Sequence, residues 1–417
     1  MSVSQHDLLT LQPLVREYAE IAALPIQREK AALWRKLNRL EPVRPLVWIN
    51  EIPWWEMNID DELTLRCEDG YCRQLEYGLR TELYQWRHMR CDQVLDPVWY
   101  VSYVCSPVGV YADYGIEERM HREEGASSVN FLPGINSLDD VAKLRTPPVV
   151  VDWEETERRY QQTCEVCDGI LPVKKRGICH QWMSPWDQMI HWYGIERLYM
   201  DMVDRPELVH ALLTRFMAAV HDVLDQQIAL GLLSVSDGNF RVGSGGLGIT
   251  DELPQPDYIP GTPARAIDQW GTSTGQIFSE VSPDMHDEFC LQYEQPYLER
   301  FGLSCYGCCE PLHNKIGILR KVKNLRRISM SYWINIDKAV EEMQADYIFS
   351  YKPSPAVFAW DQWDPEPARA NLSEVLSKTR DCRVELILKD ISTVRGDPKR
   401  LWAWSELAME LAQEVSV

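Results

Sequence analysis

RRISMSYWINIDKAVEEMQADYIFSYKPSPA, residues 326–356, decides the fold. It opens on a short apolar run, RRISMSYW (326–333), and closes on a second, DYIFSYK (346–352), with a stretch of helical period between them. Two strands joined by a helix-length connection lie parallel, because a crossover of that length is what returns the chain to the same end of a sheet. Working outward, the same rhythm recurs in RGICHQW (176–182), LLSVSDGN (232–239), GLSCYGCC (302–309) and RVELILKD (383–390). Helical patterns such as RPELVHALLTRFMAAVHDVLDQQIALG fill the gaps, and RPLVWIN (44–50) supplies a first buried strand. About eight such units are available, so the expectation is an α/β fold, a (β/α)8 TIM barrel with an N-terminal helical and irregular elaboration.

Residues 1–43 read as the helical extension, 44–417 as the barrel, and about 52–150 as an irregular insertion. No glycine-rich GxGxxG turn follows a strand, which weakens a dinucleotide-binding alternative. RVGSGGLG (241–248) lacks the lysine and hydroxyl of a phosphate loop and reads as a mobile loop, a candidate lid. Lys plus Arg number 43 against 63 Asp plus Glu, a net charge of −20, which disfavours nucleic acid and anionic membrane surfaces as partners. No run of about 18 apolar residues and no apolar signal core is present, so the expected location is cytoplasmic. The twelve cysteines are then thiols, metal ligands or core filler rather than disulfides. Cys164 and Cys167 form a CxxC without a second pair and read as helix-face residues.

In a barrel, the residues at the C-terminal ends of the strands face the active site. Those ends are Asn50, Glu51, His180, Gln181, Asp237, Asn239, Cys308, Cys309, Ser331, Lys352, Lys389 and Asp390. A lysine ending an apolar strand is costly unless it is paired or faces a wet pocket, where it can stabilise developing negative charge. Asp237, Lys352, Lys389, Asp390 and His180 are therefore candidate catalytic groups, joined by Asp268 from the loop-like span AIDQWGTSTGQIFSEVSPDMHDEF (266–289). Asn50, Glu51, Asn239, Tyr306 and Gln276 are the candidate substrate contacts. LSCYGCCEPLHNK (303–315) packs three cysteines, a glutamate and a histidine into nine positions. Zinc accepts S, N and O ligands, so Cys308, Cys309, His313 and the nearby Glu280 are candidate metal ligands. The competing reading makes the cysteines small buried hydrophobes and Glu310 to His313 an ordinary helix start.

GTSTGQIFSEVSPDMHDEFCLQYEQPYLERFG, then CYGCCEPL and RRISMSYWINIDKAVEEMQADYIFSYKPSPA, are similar in order and texture to the uroporphyrinogen decarboxylase superfamily. The resemblance spans roughly 170–417 and is to the corrinoid-dependent methyltransferase branch. It implies a barrel in which zinc, held by a His-x-Cys strand and a last-strand cysteine, activates a methyl acceptor. Here Tyr306-x-Cys308 stands in place of His-x-Cys, and Leu388, Lys389 and Asp390 stand where the last cysteine would be. The implied activity is methyl transfer between a small O-, N- or S-methyl compound and cobalamin carried by a partner corrinoid protein, with a homodimer as a further possible assembly. A metal-independent decarboxylase or lyase on the same barrel, and a non-catalytic small-ligand-binding protein, remain as alternatives.

Overall fold

Eight parallel strands form, six of them in one sheet. They are β1 (Leu46–Ile49), β2 (Trp99–Ser102), β3 (Val173–Arg176), β4 (Trp270–Ser273), β5 (Leu303–Tyr306), β6 (Leu325–Met330), β7 (Ile348–Tyr351) and β8 (Arg383–Leu388). The computed structural model describes residues 2–122, 129–236 and 238–415. The main sheet runs β1–β8–β7–β6–β5–β4, every pairing parallel, while β2 and β3 form a separate parallel pair. No helix among the described residues is long and apolar enough to cross a membrane.

The pairing differs from the expected ring of eight at two runs, RGICHQW and LLSVSDGN. Beyond Arg176, which ends β3, they contribute one isolated parallel bridge, Ile178 with Leu233. Gln269 Nε2 donates to the carbonyls of Ile178 (2.6 Å) and Ser234 (2.5 Å), and Ser234 Oγ accepts from Gly177 N–H at 2.7 Å. Backbone bonds cross the pair, from Ile178 N–H to the Leu232 carbonyl at 2.7 Å and from Ser234 N–H to the Ile178 carbonyl at 2.9 Å, and the Gln269 amide adds a second donor to that carbonyl.

Residues 52–150 also depart from the irregular reading. They contain a 19-residue helix, Gly70–His88, capped by Asp69, whose carboxylate accepts from Tyr71 and Cys72 N–H. Its buried stripe of Cys72, Leu75, Leu79, Leu83 and Trp86 recurs every three or four positions. That stripe packs with Leu11, Val15 and Tyr18 of the first helix, Gln5–Ala22.

Strand alternation gives the main sheet two chemically different faces. Ile328, Met330, Phe349, Tyr351, Val384, Leu386 and Leu388 pack with helix residues such as Leu401, Trp404 and Ala408 in the largest apolar cluster. The opposite face carries Arg327, Ser329, Ser350, Lys352, Glu385 and Lys389, all buried. Register sets Ser329 beside Ser350 and Ser350 beside Glu385. Glu385 pairs with Arg327 at 3.1 Å, accepts from Ser350 Oγ, and takes Gly246 N–H at 3.0 Å.

The RVGSGGLG segment is a buried hairpin, not a lid. Residues 242–250 are all buried, and Arg241 and Leu247 form an antiparallel bridge. Glycine is required here for close approach: a Cβ on Gly245 would meet Arg327 Cδ at 2.4 Å, and one on Gly246 would meet the Trp34 ring at 2.4 Å. Ser244 Oγ donates to the Gly307 carbonyl at 2.8 Å, so the hairpin tip supports the end of β5.

Candidate functional site

Strands β5 to β8 end beside one cavity of about 340 Å³, lined by Cys309, Ser331, Trp333, Lys352, Lys389 and Asp390 among others. It sits where the C-terminal ends of parallel strands place ligands in α/β folds. Pro353, Pro355 and Ala356 make one wall apolar, and Trp333 stands 76% exposed. Ser331 Oγ is buried without a protein partner, which leaves it free for a ligand.

The local sequence explains how the polar groups get there. β5 stops at Tyr306 because Gly307 turns into the left-handed region, φ +94, where a Cβ would meet Leu312 Cδ1 at 2.4 Å. Alternation ends with it, and Cys308 and Cys309 bring their sulfurs to 3.6 Å. Glu310 folds back, accepting Cys308 N–H at 2.8 Å and the Thr274 hydroxyl at 2.9 Å. Ser329 Oγ donates to the Cys308 carbonyl at 2.6 Å.

Lys389 is the hub. Its Nζ lies 2.7 Å from Asp390 Oδ2, 3.4 Å from Cys308 Sγ and 3.8 Å from Glu51 Oε2. Burial opposes its charge, but the Cys308 and Cys309 sulfurs and Asp390 outweigh that and hold the ammonium above its ordinary range. Cys308 is held below the usual thiol value, first by its hydrogen bond with Cys309 and then, against burial, by Lys389. Cys309 is pushed up by the same hydrogen bond and by burial, and its thiol donates to Asp390 Oδ2 at 3.2 Å. Burial raises Asp390, yet contacts with Glu51 and Lys389 bring it below the ordinary carboxylate value.

Lys352 behaves differently. Its Nζ donates to the Ser350 carbonyl at 2.7 Å and Ser350 Oγ at 2.6 Å, leaving one of three N–H donors for the cavity. Burial pushes it down to about 8, with Glu385 acting in the opposite direction. One cavity thus holds one lysine raised above its ordinary range and one lowered to about 8.

The remaining sequence candidates distribute as follows. Glu51 joins the site, accepting Asp390 N–H at 3.1 Å and pairing with Arg241 at 2.7 Å. Asn50 continues β1, donating its N–H to Leu388 at 2.8 Å. His180 Nε2 accepts Gly243 N–H at 2.8 Å and is pushed down to about 4 by burial and by Arg241, so it is a neutral support of the hairpin. Asn239 is tied to Val94 and Asp96, and Gln276 Nε2 donates to Asp187 Oδ2 at 3.2 Å. Asp268 stands apart: it precedes β4, at the sheet's other end, with its oxygens taken by Arg265 and Gln255 N–H. Asp237 lies outside the described residues.

Tyr306 lies on the helix-facing side, fully buried, and makes no part of the cavity wall. Its hydroxyl donates to Glu294 Oε2 at 2.7 Å and lies 2.7 Å from His286 Nε2. Burial drives His286 down to about 3 and Glu294 up to about 7. The stability consequences have opposite signs. His286 costs stability as pH falls from 6.5 toward about 3, and Glu294 costs stability as pH rises from 4.5 toward about 7. Each slope is about 1.4 kcal/mol per pH unit inside its window. His286→Phe is therefore expected to lessen the acid-side loss in urea titrations between pH 4.5 and 3, and an unchanged slope contradicts this.

The expected zinc ligands do not assemble. Glu280 is exposed on its loop, His313 sits half-buried on a 3-10 turn, and the charge beside Cys308 is an ammonium. Among the described residues no three His, Cys, Asp or Glu side chains group so as to hold a metal ion. The donor set does not fit zinc.

Sequence reasoning missed Glu310, Asp187 and Arg241. Asp187 is raised by burial, and Glu310's charge adds to the rise. An acid in the first turn of a helix, as in SPWDQM, ordinarily reads as a dipole partner, which hides it. No family model matches the chain, and no curated protein matches it. Among solved structures it is similar to a methyltransferase from Methanosarcina mazei, at 9% identity and a TM-score of 0.50, over 91% of this chain and 98% of that one. At that identity the likeness is one of fold.

Proposed function

We propose that this chain is a methyltransferase, moving a methyl group between a small O-, N- or S-methyl compound and a corrinoid protein, in the cavity above β5 to β8. One observation carries the reading: Lys352 and Lys389, from adjacent strands, share that cavity with opposite protonation behaviour. The fold shared with the Methanosarcina mazei methyltransferase supports it. In this reading the sheet and the β2–β3 pair belong to one barrel, with the Ile178–Leu233 bridge and the Gln269 side chain spanning between them.

When the methyl carbon leaves its heteroatom, the heteroatom keeps the bonding electron pair and gains negative charge. Lys389 stabilises that charge from a position already fixed by Asp390 and Glu51, and such preorganisation is what electrostatic catalysis uses. Lys352 supplies the proton, burial having brought it down to about 8. Asp390 and Glu51 fix Lys389, while Ser331 and the apolar wall orient the small molecule. The partner's reduced corrinoid would supply the nucleophile that receives the methyl group.

A second reading follows from Lys352 alone. An amine lowered to about 8 can also add to a carbonyl, which is how lysines serve lyases and decarboxylases. Borohydride trapping separates the two. Methyl transfer expects no mass added at the Lys352 peptide when the protein is treated with small 2-oxo acids and borohydride. Stoichiometric reduced adducts at Lys352 would overturn it in favour of the lyase.

A further inference from the structure

We propose that Cys308 and Cys309 form a reversible vicinal disulfide, a modification site for hydrogen peroxide in the floor of the cavity. The inference rests on geometry and is independent of the methyl-transfer reading.

The two sulfurs already touch at 3.6 Å, and each has the partner its chemical role needs. Lys389 Nζ lies 3.4 Å from Cys308 Sγ, a buried cation beside the sulfur that must be nucleophilic. Asp390 Oδ2 lies 3.2 Å from Cys309 Sγ, a carboxylate able to accept the proton that the second sulfur must shed. Access is built in as well: Cys309 is the exposed member among the twelve cysteines and lines the cavity. Cys308 is 5% exposed directly behind it, which limits the oxidant to something as small as hydrogen peroxide. The preceding turn is pinned from three sides, by Ser244 on the Gly307 carbonyl, by Ser329 on the Cys308 carbonyl and by Glu310 on Cys308 N–H.

The chemistry balances. The Cys308 sulfur attacks one peroxide oxygen and the O–O bond breaks, giving a sulfenic acid and hydroxide, which takes a proton to become water. The Cys309 sulfur, its proton passed to Asp390 and then to solvent, attacks Cys308 and displaces a second hydroxide as water. Two thiol sulfurs lose two electrons, and one peroxide becomes two waters. The product ring is strained, because neighbouring Cα atoms lie about 3.8 Å apart, below the usual disulfide span of about 4.4–6.8 Å. Strained, accessible disulfides are the readily reduced ones, so the pair rests as a dithiol and responds to oxidant. Once formed, the bond removes both the free sulfur beside Lys389 and the hydrogen that Asp390 accepts.

The test is intact-mass and peptide mass spectrometry on the full native chain treated with stoichiometric hydrogen peroxide. The expected result is a loss of two hydrogens confined to the peptide carrying residues 308 and 309, reversed by dithiothreitol. Cys309→Ser should abolish that loss and let dimedone capture a sulfenic acid at Cys308. Any of three outcomes overturns the proposal: both thiols still alkylate fully after peroxide, oxidation falls on other cysteines, or it stops at Cys309 alone.

Discussion

Replacing Lys352 with methionine is expected to lower turnover by about a hundred- to ten-thousand-fold, the usual contribution of a positioned general acid. The argument is one of placement and charge. Lys352 ends β7 in the cavity wall, two of its three donors are spent on Ser350, and burial brings it down to about 8. As the proton donor it must be charged, so the rate should be highest below about pH 8 and fall as pH rises through it. In the methionine variant that limb should vanish along with most of the activity. Lys389→Met should behave otherwise. It removes a fixed charge, so about a hundred- to thousandfold is lost with the pH limb retained in what remains. Cys308→Ala should cost far less than either. Equal losses for all three would mean that the cavity acts only as a binding surface.

The largest stability effect is expected at Glu385. Its carboxylate is fully buried between Arg327, Ser350 and Gly246 N–H. Glu385→Leu leaves the Arg327 guanidinium buried and uncompensated, with Asn38 and backbone carbonyls as its remaining partners. Breaking a buried pair from one side costs about 3–5 kcal/mol. The hairpin also loses the acceptor for Gly246 N–H. Arg327→Met combined with Glu385→Leu should recover much of the loss, because no charge is then stranded. Denaturant unfolding of the single and double variants reads this directly. A double variant as unstable as the sum of the singles would show that Arg327 and Glu385 contribute independently, with no coupling between them, and would contradict this account.

Much of the parallel architecture was legible because β5 to β8 are apolar runs ended by charged or turn residues, separated by helical periods. What was not legible was decided by side chains far away in sequence. The Gln269 side chain bridges the carbonyls of Ile178 and Ser234, which no local pattern announces. Gly245 and Gly246 looked like flexibility, whereas their missing Cβ atoms admit Arg327 and Trp34. Tyr306 stood at a strand end beside a presumed ligand, but its parity turns it to the helices, where His286 and Glu294 hold it. Within the candidate site, Lys352, Lys389, Asp390, Cys309 and Glu51 converge because strand ends converge. Glu310 and Asp187 escaped notice because acids that open helices are commonplace.

The most direct measurement follows a label. Purified protein is incubated with free reduced cobalamin and a panel of trideuteromethyl O-, N- and S-methyl compounds, and mass spectrometry locates the CD3 group. The expected result is transfer of the intact CD3 group from at least one compound to the cobalamin fraction, dependent on Lys352 and Lys389. A folded protein that binds one of these compounds in the cavity, yet transfers no CD3 group to free or protein-bound corrinoid, contradicts the account.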